Sequence, residues 1–408
     1  FTDDISLPGM VYGKMKLSTE VHANIVSIDT SKAEALPGVL AVITGDDTPI
    51  PYNIAHHLPT EHPLANGKVR YYGEGVAAVA AVDEKTADKA VDLIEVKYEK
   101  LPFIIDPLKS MEQDEIRIHD KFENNIHLDG DQLFGDVDEA FKNSHLVVEN
   151  SYYTNGVHNA FIEPHAALAD YQPQTGKLFV YNSIQLPNTM ARILATAMDM
   201  PMDKIRVKVP FVGGGFGGKT EPTPSAIVAC VLSRKIGRPV KLTSTRKEVF
   251  YVNKGRHPSH VKIKMGFDKD GTITGVDLEE ILDGGAHSSW GLIVMWFSAA
   301  LTHLPYKIPN VHFHGRRVYT NRPSFGAQRG VGGVQVRVPV ECIIDEAADK
   351  LGVSAFDIRL KNAVESGYQT KATVEVRHSE FKKCLEAVRK KSGYDEKHGK
   401  LPPGRGMG

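Results

Sequence analysis

The stretch KIRVKVPFVGGGFGGKTEP, Lys204–Pro222, places an apolar, β-rich run directly before a loop with five glycines. Residues 213–220 satisfy the GxxxxGK[ST] pattern of phosphate-binding loops, in which the chain passes straight into a helix whose first amides face the phosphates. The residues that follow here are EPTPSAIVAC, and Pro224 inside a first helical turn would clash with the carbonyl four residues before it. We therefore predict an extended segment and then a helix that begins near Pro224, and we keep a nucleotide hydrolase only as an alternative interpretation.

The glycines can instead let backbone amides approach a large ligand, because glycine has no side chain to hold the ligand away. We expect Phe216 to anchor this loop in the core. A second loop of the same character, TNRPSFGAQRGVGGVQ at 320–335, places four glycines around Arg329. Two such loops in one chain predict a shared site for a bulky anionic cofactor.

The composition is that of an ordinary globular protein, with 408 residues, 41% hydrophobic and 24% charged residues, and a formal net charge of −1. A chain so close to neutral has no field that favours nucleic acid or an anionic membrane surface. No long apolar run predicts a membrane helix, and the first residues, FTDDISLPGM, lack a secretory signal, so we expect a cytoplasmic protein without membrane insertion. The chain opens without Met and ends in KLPPGRGMG, and we expect a processed or split protein.

The hydrophobic pattern predicts a mixed α/β (α+β) fold in two parts. In the first part, HANIVSIDT, GVLAVITG and GVAAVAAVD have the pattern of strands, and EKTADKAVDLIEVKYEKLP has that of a helix leading into a strand. A polar, turn-rich segment follows, and GDVDEAFKNSHLVVENSYYT then restarts with a helix and a strand. We predict an N-terminal α/β domain at 1–110, a linker at 111–134 and a larger mixed α/β domain at 135–408.

Cysteines and histidines give no pattern of a metal site ligated by the protein. The three cysteines lack C-x-x-C spacing and are too few for an iron–sulfur cluster, so we interpret them as buried small hydrophobic residues: Cys230, Cys342 and Cys384. Four histidines lack the spacing of a ligand set and are interpreted as structural or surface residues: His287, His303, His312 and His314.

Four motifs carry a family resemblance. IQLP, GGGFGGK, NAFIEPHAALADY and GAQRGVGGVQ together resemble the molybdenum-binding subunit of the xanthine oxidase family of molybdenum hydroxylases. VHANIVSIDTSKAEALPGVLAVITGDDTP and VRYYGEGVAAVAAVDEKTADKAVDLIEVKYEKLP resemble that family's hammerhead domain. The resemblance implies that 1–110 is the hammerhead domain and 135–408 the first molybdopterin-binding subdomain, with the second subdomain absent from this chain. Within the family, ALADY, VYTN and the terminal GKLPPGRGMG are most similar to the large subunit of 4-hydroxybenzoyl-CoA reductases.

The resemblance also implies roles for residues of the two loops. In the family the molybdenum is held by a pterin dithiolene and not by protein side chains. By motif, Gln185 of IQLP would donate its side-chain amide to the apical oxo ligand, and Phe216 would contribute its backbone N–H to the same region. Arg329 and its loop would lie beside the pterin and contribute main-chain hydrogen bonds. The implied cofactor-binding residues are Gly214, Gly215, Phe216, Gly217, Gly218, Gln328, Arg329 and Gly330.

Departures from the xanthine-oxidising members bear on the substrate. Those members have a glutamate directly after the GGGFGGK lysine, where this chain has Thr220, with Glu221 one residue late. Their arginine in the segment aligned with MWFSAALTH is replaced by Phe297, and their aromatic residue in the RG loop is replaced by Val331. We predict these four residues for a substrate pocket and consider xanthine a poor substrate. Three residues can form an apolar wall for an aromatic ring: Trp290, Trp296 and Phe297. The alternative interpretation is that they belong to the hydrophobic core.

Several components implied by the resemblance lie outside this chain. In the family the general-base glutamate belongs to the second subdomain, so the chain should act only with a partner chain that supplies it. The implied cofactors are molybdopterin in its cytosine dinucleotide form with molybdenum, and iron–sulfur clusters and FAD on partner subunits. The expected reaction is reductive dehydroxylation of 4-hydroxybenzoyl-CoA, an acyl-CoA, and the alternative is oxidative hydroxylation of an aromatic N-heterocycle or an aldehyde. Alternatives of another class are a phosphate-loop nucleotide hydrolase and a cofactor-free scaffold subunit.

Overall fold

The computed structural model describes residues 1–54, 59–398 and 400; the segment at 401–408, which ends the GKLPPGRGMG motif, lies outside the described residues. The elements of the first part are β1 (Val11–Leu17), β2 (Ala23–Asp29), α1 (Ser31–Glu34), β3 (Val39–Thr44), β4 (Lys68–Val69), β5 (Gly75–Ala81), α2 (Glu84–Leu93), β6 (Glu95–Lys100) and α3 (Pro107–Met111). The strands and the helix that the sequence predicts in this part are all present.

The second part is larger. Its elements up to the first long hairpin are β7 (Ile126–Phe134), α4 (Val137–Asn143), β8 (Leu146–Thr154), β9 (Ala166–Gln172), β10 (Lys177–Asn182), α5 (Pro187–Ala197), β11 (Ile205–Lys208), α6 (Pro224–Ile236), β12 (Val240–Thr243), α7 (Arg246–Val252), β13 (Ser259–Phe267) and β14 (Ile273–Gly285). The remaining elements are α8 (Gly291–Thr302), β15 (Val311–Tyr319), α9 (Gly333–Leu351), α10 (Ala355–Asn362), β16 (Tyr368–Gln369), β17 (Glu375–Val376), α11 (Phe381–Ser392) and α12 (Tyr394–Lys397).

A seven-stranded sheet forms the centre of the molecule, in the order β11-β10-β9-β12-β1-β5-β3. Every residue of β5 is buried, and α6, whose residues 224–233 are all buried, packs on this sheet. Strand β1 pairs in parallel with β12, with Val11 opposite Val240. The sheet therefore contains strands from both predicted domains, and the domain limits themselves stay predictions.

A five-stranded sheet, in the order β7-β15-β14-β13-β8, supports the second part, and α8 and α9 pack against it around a second apolar core. The predicted linker at 111–134 is wrong in its second half, because residues 126–134 form strand β7 at the edge of this sheet. This edge strand reads as polar because its outer face is exposed and its aspartates pair with histidines of β15: Asp129 with His314 and Asp131 with His312.

Two smaller sheets complete the fold, β4-β2-β6 and β16-β17, and the mixed α/β class is confirmed. In the part of the chain that the structure describes, every helix is too short or too polar to cross a bilayer.

Candidate functional site

The first glycine loop connects β11 to α6, and its lysine points into the protein. The side chain of Lys219 is fully buried, and its Nζ lies 2.7 Å from Glu163 Oε2 and 2.6 Å from Ser183 Oγ. Its ammonium also faces the ring of Phe161 at 4.6 Å. A phosphate-binding lysine must instead reach its ligand, and α6 begins only at Pro224, as the sequence predicts. The structure therefore removes the geometric basis for a nucleotide hydrolase.

Glu163 anchors the start of the same loop. Its Oε2 accepts hydrogen bonds from the Gly213 amide at 2.7 Å and from Ser183 Oγ at 2.6 Å, in addition to the one from Lys219. Burial alone would raise the pKa of Glu163, but these donors outweigh it and lower the pKa below its usual value. The carboxylate is thus ionised at neutral pH and engaged in holding the loop.

Gln185 lies beside the loop, two residues beyond Ser183. Its Oε1 accepts a hydrogen bond from the Gly217 amide at 3.1 Å, while its Nε2 has no partner among the described residues and its side chain is exposed. A Cβ at position 215 would lie 2.4 Å from Gln185 Oε1, so only glycine lets the loop pass this close. The fixed oxygen leaves the amide nitrogen of Gln185 as a free donor.

Phe216 stands at the surface of the loop, with a left-handed φ of +51°. Its side chain is 50% exposed, so the expectation that it anchors the loop in the core is wrong; the backbone conformation carries the ring outward, and Phe161 is the buried aromatic residue here. The Phe216 carbonyl accepts hydrogen bonds from the Arg329 amide at 3.0 Å and from Asn159 Nδ2 at 2.9 Å. The backbone amides of 214–216 have no partner in the described part of the chain; residue 215 is buried, whereas Phe216 is exposed.

The second glycine loop packs directly against the first. Gly217 has φ +98°, and a Cβ there would lie 2.7 Å from the Ala327 carbonyl oxygen, so the two backbones are in contact. Asn159 Nδ2 reaches the carbonyls of both loops, Phe216 at 2.9 Å and Ala327 at 3.4 Å. The structure therefore brings the loop residues that the sequence predicts for a cofactor into one site.

The main-chain groups of Arg329 are already used within the protein. Its amide donates to Phe216, and its carbonyl accepts from Arg256 Nη2 at 2.5 Å, while its exposed guanidinium has no partner among the described residues. The implied main-chain role of Arg329 toward a cofactor is thus wrong for its amide. Gln328, by contrast, has a buried Oε1 without a partner, and Gly330 is exposed beside it.

Of the four residues predicted for a substrate pocket, Glu221 is the one whose side chain is buried. Glu221 is 6% exposed, and its Oε2 lies 3.1 Å from Lys254 Nζ, so the prediction for this residue is wrong. The reason is the additional residue before it: the Thr220 hydroxyl donates to the Gly217 carbonyl at 2.7 Å, which extends the turn of the loop before the chain enters the interior. Phe297 and Val331 are partly exposed and lie at α8 and the second loop.

Helix α8 presents aromatic side chains next to the second loop. A Cβ at position 332 would lie 2.8 Å from the Cβ of Phe297. The rings of Trp296 and Phe297 meet edge to face at 5.0 Å, and the two side chains are 55% and 36% exposed. Trp290 packs against both large cores, so the core alternative holds for Trp290 and not for Trp296.

The histidines and cysteines that the sequence sets aside form no metal site. No group of three or more His, Cys, Asp or Glu residues within 1–54 and 59–398 is placed to hold a metal ion. Burial lowers the pKa of His303 to about 4, and the other three histidines contact carboxylates: His287 with Glu74, His312 with Asp277 and His314 with Asp129. Cys230 is buried, but Cys342 and Cys384 lie exposed on α9 and α11, so the buried interpretation is wrong for those two.

Sequence reasoning missed the side chains that hold the loops. Asn159 and Glu163 lie within NAFIEPHAALADY, where an amide and a carboxylate in a largely apolar segment were the available signal. Lys254 and Arg256 flank a glycine directly after α7, and nothing in their local pattern identifies a partner.

Comparison with protein families matches nearly the whole described chain. Residues 118–363 match the family described as molybdopterin cofactor-binding domain. Residues 1–102 match the a/b hammerhead domain of aldehyde oxidase and xanthine dehydrogenase.

Individual relatives agree with these matches. The nicotinate dehydrogenase large molybdopterin subunit of Eubacterium barkeri is 36% identical over 367 residues, which cover 90% of this chain and 85% of the relative. The xanthine dehydrogenase molybdenum-binding subunit of Escherichia coli is 33% identical over 403 residues, 96% of this chain and 53% of that one. The crystal structure of quinoline 2-oxidoreductase from Pseudomonas putida superposes with a TM-score of 0.89 at 30% identity, over 97% of this chain and 52% of that one. The chain thus spans about half the length of the latter two proteins.

Proposed function

The chain belongs to the xanthine dehydrogenase family of molybdenum-binding large subunits, and from this premise we propose that it is the cofactor-binding part of a molybdenum-dependent oxidoreductase that acts on aromatic substrates. The observation that carries the proposal is the pair of glycine loops joined at the Phe216 carbonyl, with unpaired amides at 214–216 and an unpaired donor on Gln185. Preorganised donors on loops without side chains suit a large anionic cofactor.

The residues of both loops fit a molybdopterin. The amides of 214–216 can donate to it, and the buried, unpaired Oε1 of Gln328 can accept from the N–H groups of a pterin. The exposed guanidinium of Arg329 can pair with the anionic part of the cofactor. A side chain at Gly217 would instead separate the two loops, because its Cβ would meet the Ala327 carbonyl.

The chemistry divides between the cofactor and the chain. When bound, the molybdopterin supplies a molybdenum centre that exchanges two electrons with the substrate. Gln185 would offer a donor to the bound cofactor: the Gly217 amide fixes Oε1, so a flip of the side-chain amide would break this hydrogen bond and leave Nε2 facing another donor. Its donor is therefore preorganised, which is the condition for electrostatic stabilisation in an active site.

An aromatic substrate is supported by the exposed Trp296 and Phe297 beside the second loop. All three relatives described above are named for N-heterocycles: nicotinate, xanthine and quinoline. We therefore place oxidative hydroxylation of an aromatic N-heterocycle first. Reductive dehydroxylation of 4-hydroxybenzoyl-CoA rests only on the sequence motifs and stays the second prediction, because none of these three relatives is named for a thioester.

We further propose that another polypeptide, or the remainder of this one, completes the site. The two carboxylates nearest the loops are both paired with lysines, Glu163 with Lys219 and Glu221 with Lys254, so a general base must come from elsewhere. Ile162 next to Glu163 is 89% exposed, and such an apolar side chain suits a covered surface. The partner with the second molybdopterin subdomain, the iron–sulfur and flavin subunits, the cytosine dinucleotide form and the cytoplasmic location remain predictions.

The complex purified from its native host should contain about one molybdenum per chain by elemental analysis and should oxidise a pyridine or quinoline substrate. Gln185→Ala should keep the molybdenum and lower kcat by about 100- to 1,000-fold, because one preorganised donor is lost. Gln369→Ala, an exposed amide on β16, is the matched control and should leave kcat unchanged. A folded native complex without molybdenum would leave the cofactor-free scaffold as the better interpretation.

A double variant, Ile162→Asp with Phe211→Ser, should weaken assembly of the complex. Phe211 is 85% exposed just before the first loop, and a charge beside it would have to lose its water on association. We expect size-exclusion chromatography to show about tenfold less assembled complex. Val26→Asp, a substitution of another exposed apolar side chain on β2, is the control. Unchanged assembly in the double variant would show that this surface is not covered.

A further inference from the structure

We propose that residues 253–256, the sequence Asn-Lys-Gly-Arg between α7 and β13, form a positioning segment that holds the two glycine loops together, with Lys254 as its charged centre. The inference rests on the proposed function only in that the loops are the cofactor site. Each of the four consecutive residues contacts one of the loops or a residue that bridges them. Such a series of contacts from one short segment fixes both loops to a common support.

The two ends of the segment act on opposite sides of the loop contact. Asn253 Nδ2 donates to Asn159 Oδ1 at 3.0 Å, and Asn159 in turn donates to carbonyls of both loops. At the other end, Arg256 Nη2 donates to the Arg329 carbonyl at 2.5 Å. Between them, the Gly255 carbonyl accepts the Gly326 amide at 2.8 Å.

Lys254 makes the central, charged contact. Its Nζ lies 3.1 Å from Glu221 Oε2, directly after the first loop, and 2.5 Å from Glu61 Oε2 in the N-terminal part of the chain. The other oxygen of Glu221 accepts from Ser289 Oγ at 2.5 Å. A Cβ at Gly326 would lie 2.9 Å from Ser289 Oγ and 3.0 Å from the Cβ of Lys254, so the second loop is packed against this cluster.

The charges make Lys254 indispensable to the cluster. Two carboxylates and one ammonium are all at most 7% exposed, and Lys254 is the only cation that pairs with either carboxylate in the described chain. Burial lowers the pKa of Lys254, but the two carboxylates outweigh it and hold the pKa above its ordinary value. Removal of the ammonium would leave two buried, unpaired carboxylates behind the loops. The N-terminal part thus supports the cofactor loops through Glu61.

Hydrogen–deuterium exchange on the native complex tests this inference at two amides. The Gly326 amide bonds to Gly255, and the Arg329 amide bonds to Phe216, so exchange at either reports separation of the loops from the segment or from each other. In Lys254→Met we expect exchange at both to rise at least tenfold while β14 peptides keep their protection. Lys254→Arg, which keeps the charge, should restore protection, and Lys262→Met, which removes an exposed lysine on β13, should change neither.

The outcomes separate this inference from the proposed function. Unchanged exchange at Gly326 and Arg329, or a uniform rise over the whole chain, would overturn the positioning role even if the complex contains molybdenum. A local rise in Lys254→Met, together with an unsubstituted native complex that contains no molybdenum, would support the positioning role and overturn the proposed function. If Lys254→Met does not fold, Arg256→Gln replaces it; this half-buried side chain holds only the second loop, so we expect a rise confined to 326–333, with rescue by Arg256→Lys, and no rise would overturn the role.

Discussion

Lys219→Met should lower the free energy of unfolding by about 3 to 5 kcal/mol, because it leaves the buried carboxylate of Glu163 without its cation. The first glycine loop should be destabilised most, because its Gly213 amide donates to the same carboxylate. We therefore expect the variant complex to lose its molybdenum as well. Urea denaturation and elemental analysis of the purified complex measure the two effects. A nucleotide hydrolase would instead lose magnesium-dependent ATP turnover and keep its stability.

A double-mutant cycle separates the ion pair from the cavity that the substitution creates. Glu163→Gln alone should also destabilise, but the double variant Lys219→Met with Glu163→Gln should cost less than the sum of the two, because no buried charge is then left unpaired. Lys235→Met removes a half-exposed lysine at the end of α6 and should change stability by no more than about 0.5 kcal/mol. If the effects of Lys219→Met and Glu163→Gln on the free energy of unfolding simply add in the double variant, the ion pair between Lys219 and Glu163 is contradicted.

Local sequence signals predicted the elements that carry the site. The proline at 224 marks the start of α6 because it lacks an N–H and has a fixed φ, a property that needs no knowledge of the fold. The glycine pattern predicted two loops that share a site, and the structure places Gly217 in contact with Ala327. The family resemblance is confirmed by the two family matches, which cover residues 1–102 and 118–363.

Contacts between distant residues could not be predicted in this way. Lys254 and Glu61 are 193 positions apart, and each alone has the sequence character of an exposed charged residue. Glu221 likewise has the sequence character of an exposed residue beside a loop, but its partners Lys254 and Ser289 lie 33 and 68 positions away. Strand β7 has the sequence character of a linker because its aspartates pair with histidines on β15, which follow 181 and 185 residues later. Such contacts follow from tertiary packing and leave no periodic pattern of hydrophobic residues in the local sequence.

Glu280→Gln should remove a loss of stability that the protein otherwise suffers as pH rises. Glu280 lies on β14 with 0% exposure, and neither carboxyl oxygen has a well-formed hydrogen bond in the described part of the chain. Burial raises the pKa of Glu280 from 4.5 to about 8, and the hydroxyls of Ser298 and Ser259 only partly oppose it. The folded state therefore retains this proton to a higher pH than the unfolded state does. The contribution of the neutral carboxyl group to the free energy of unfolding is fully present below pH 4.5 and is lost as pH rises through about 8.

The difference in unfolding free energy between Glu280→Gln and the natural protein should thus grow by about 4 kcal/mol from pH 4.5 to pH 8, since each tenfold change in proton affinity corresponds to about 1.4 kcal/mol. Urea denaturation at several pH values measures it. Glu279→Gln, at the preceding position on β14 where the side chain is partly exposed and pairs with Arg316, should show no such growth. A difference that is constant with pH would mean that Glu280 is ionised in the fold.

The effect also reaches the second glycine loop, because the Ser298 hydroxyl beside Glu280 donates to the Gly332 carbonyl at 3.2 Å. An ionised Glu280 would compete for that hydroxyl.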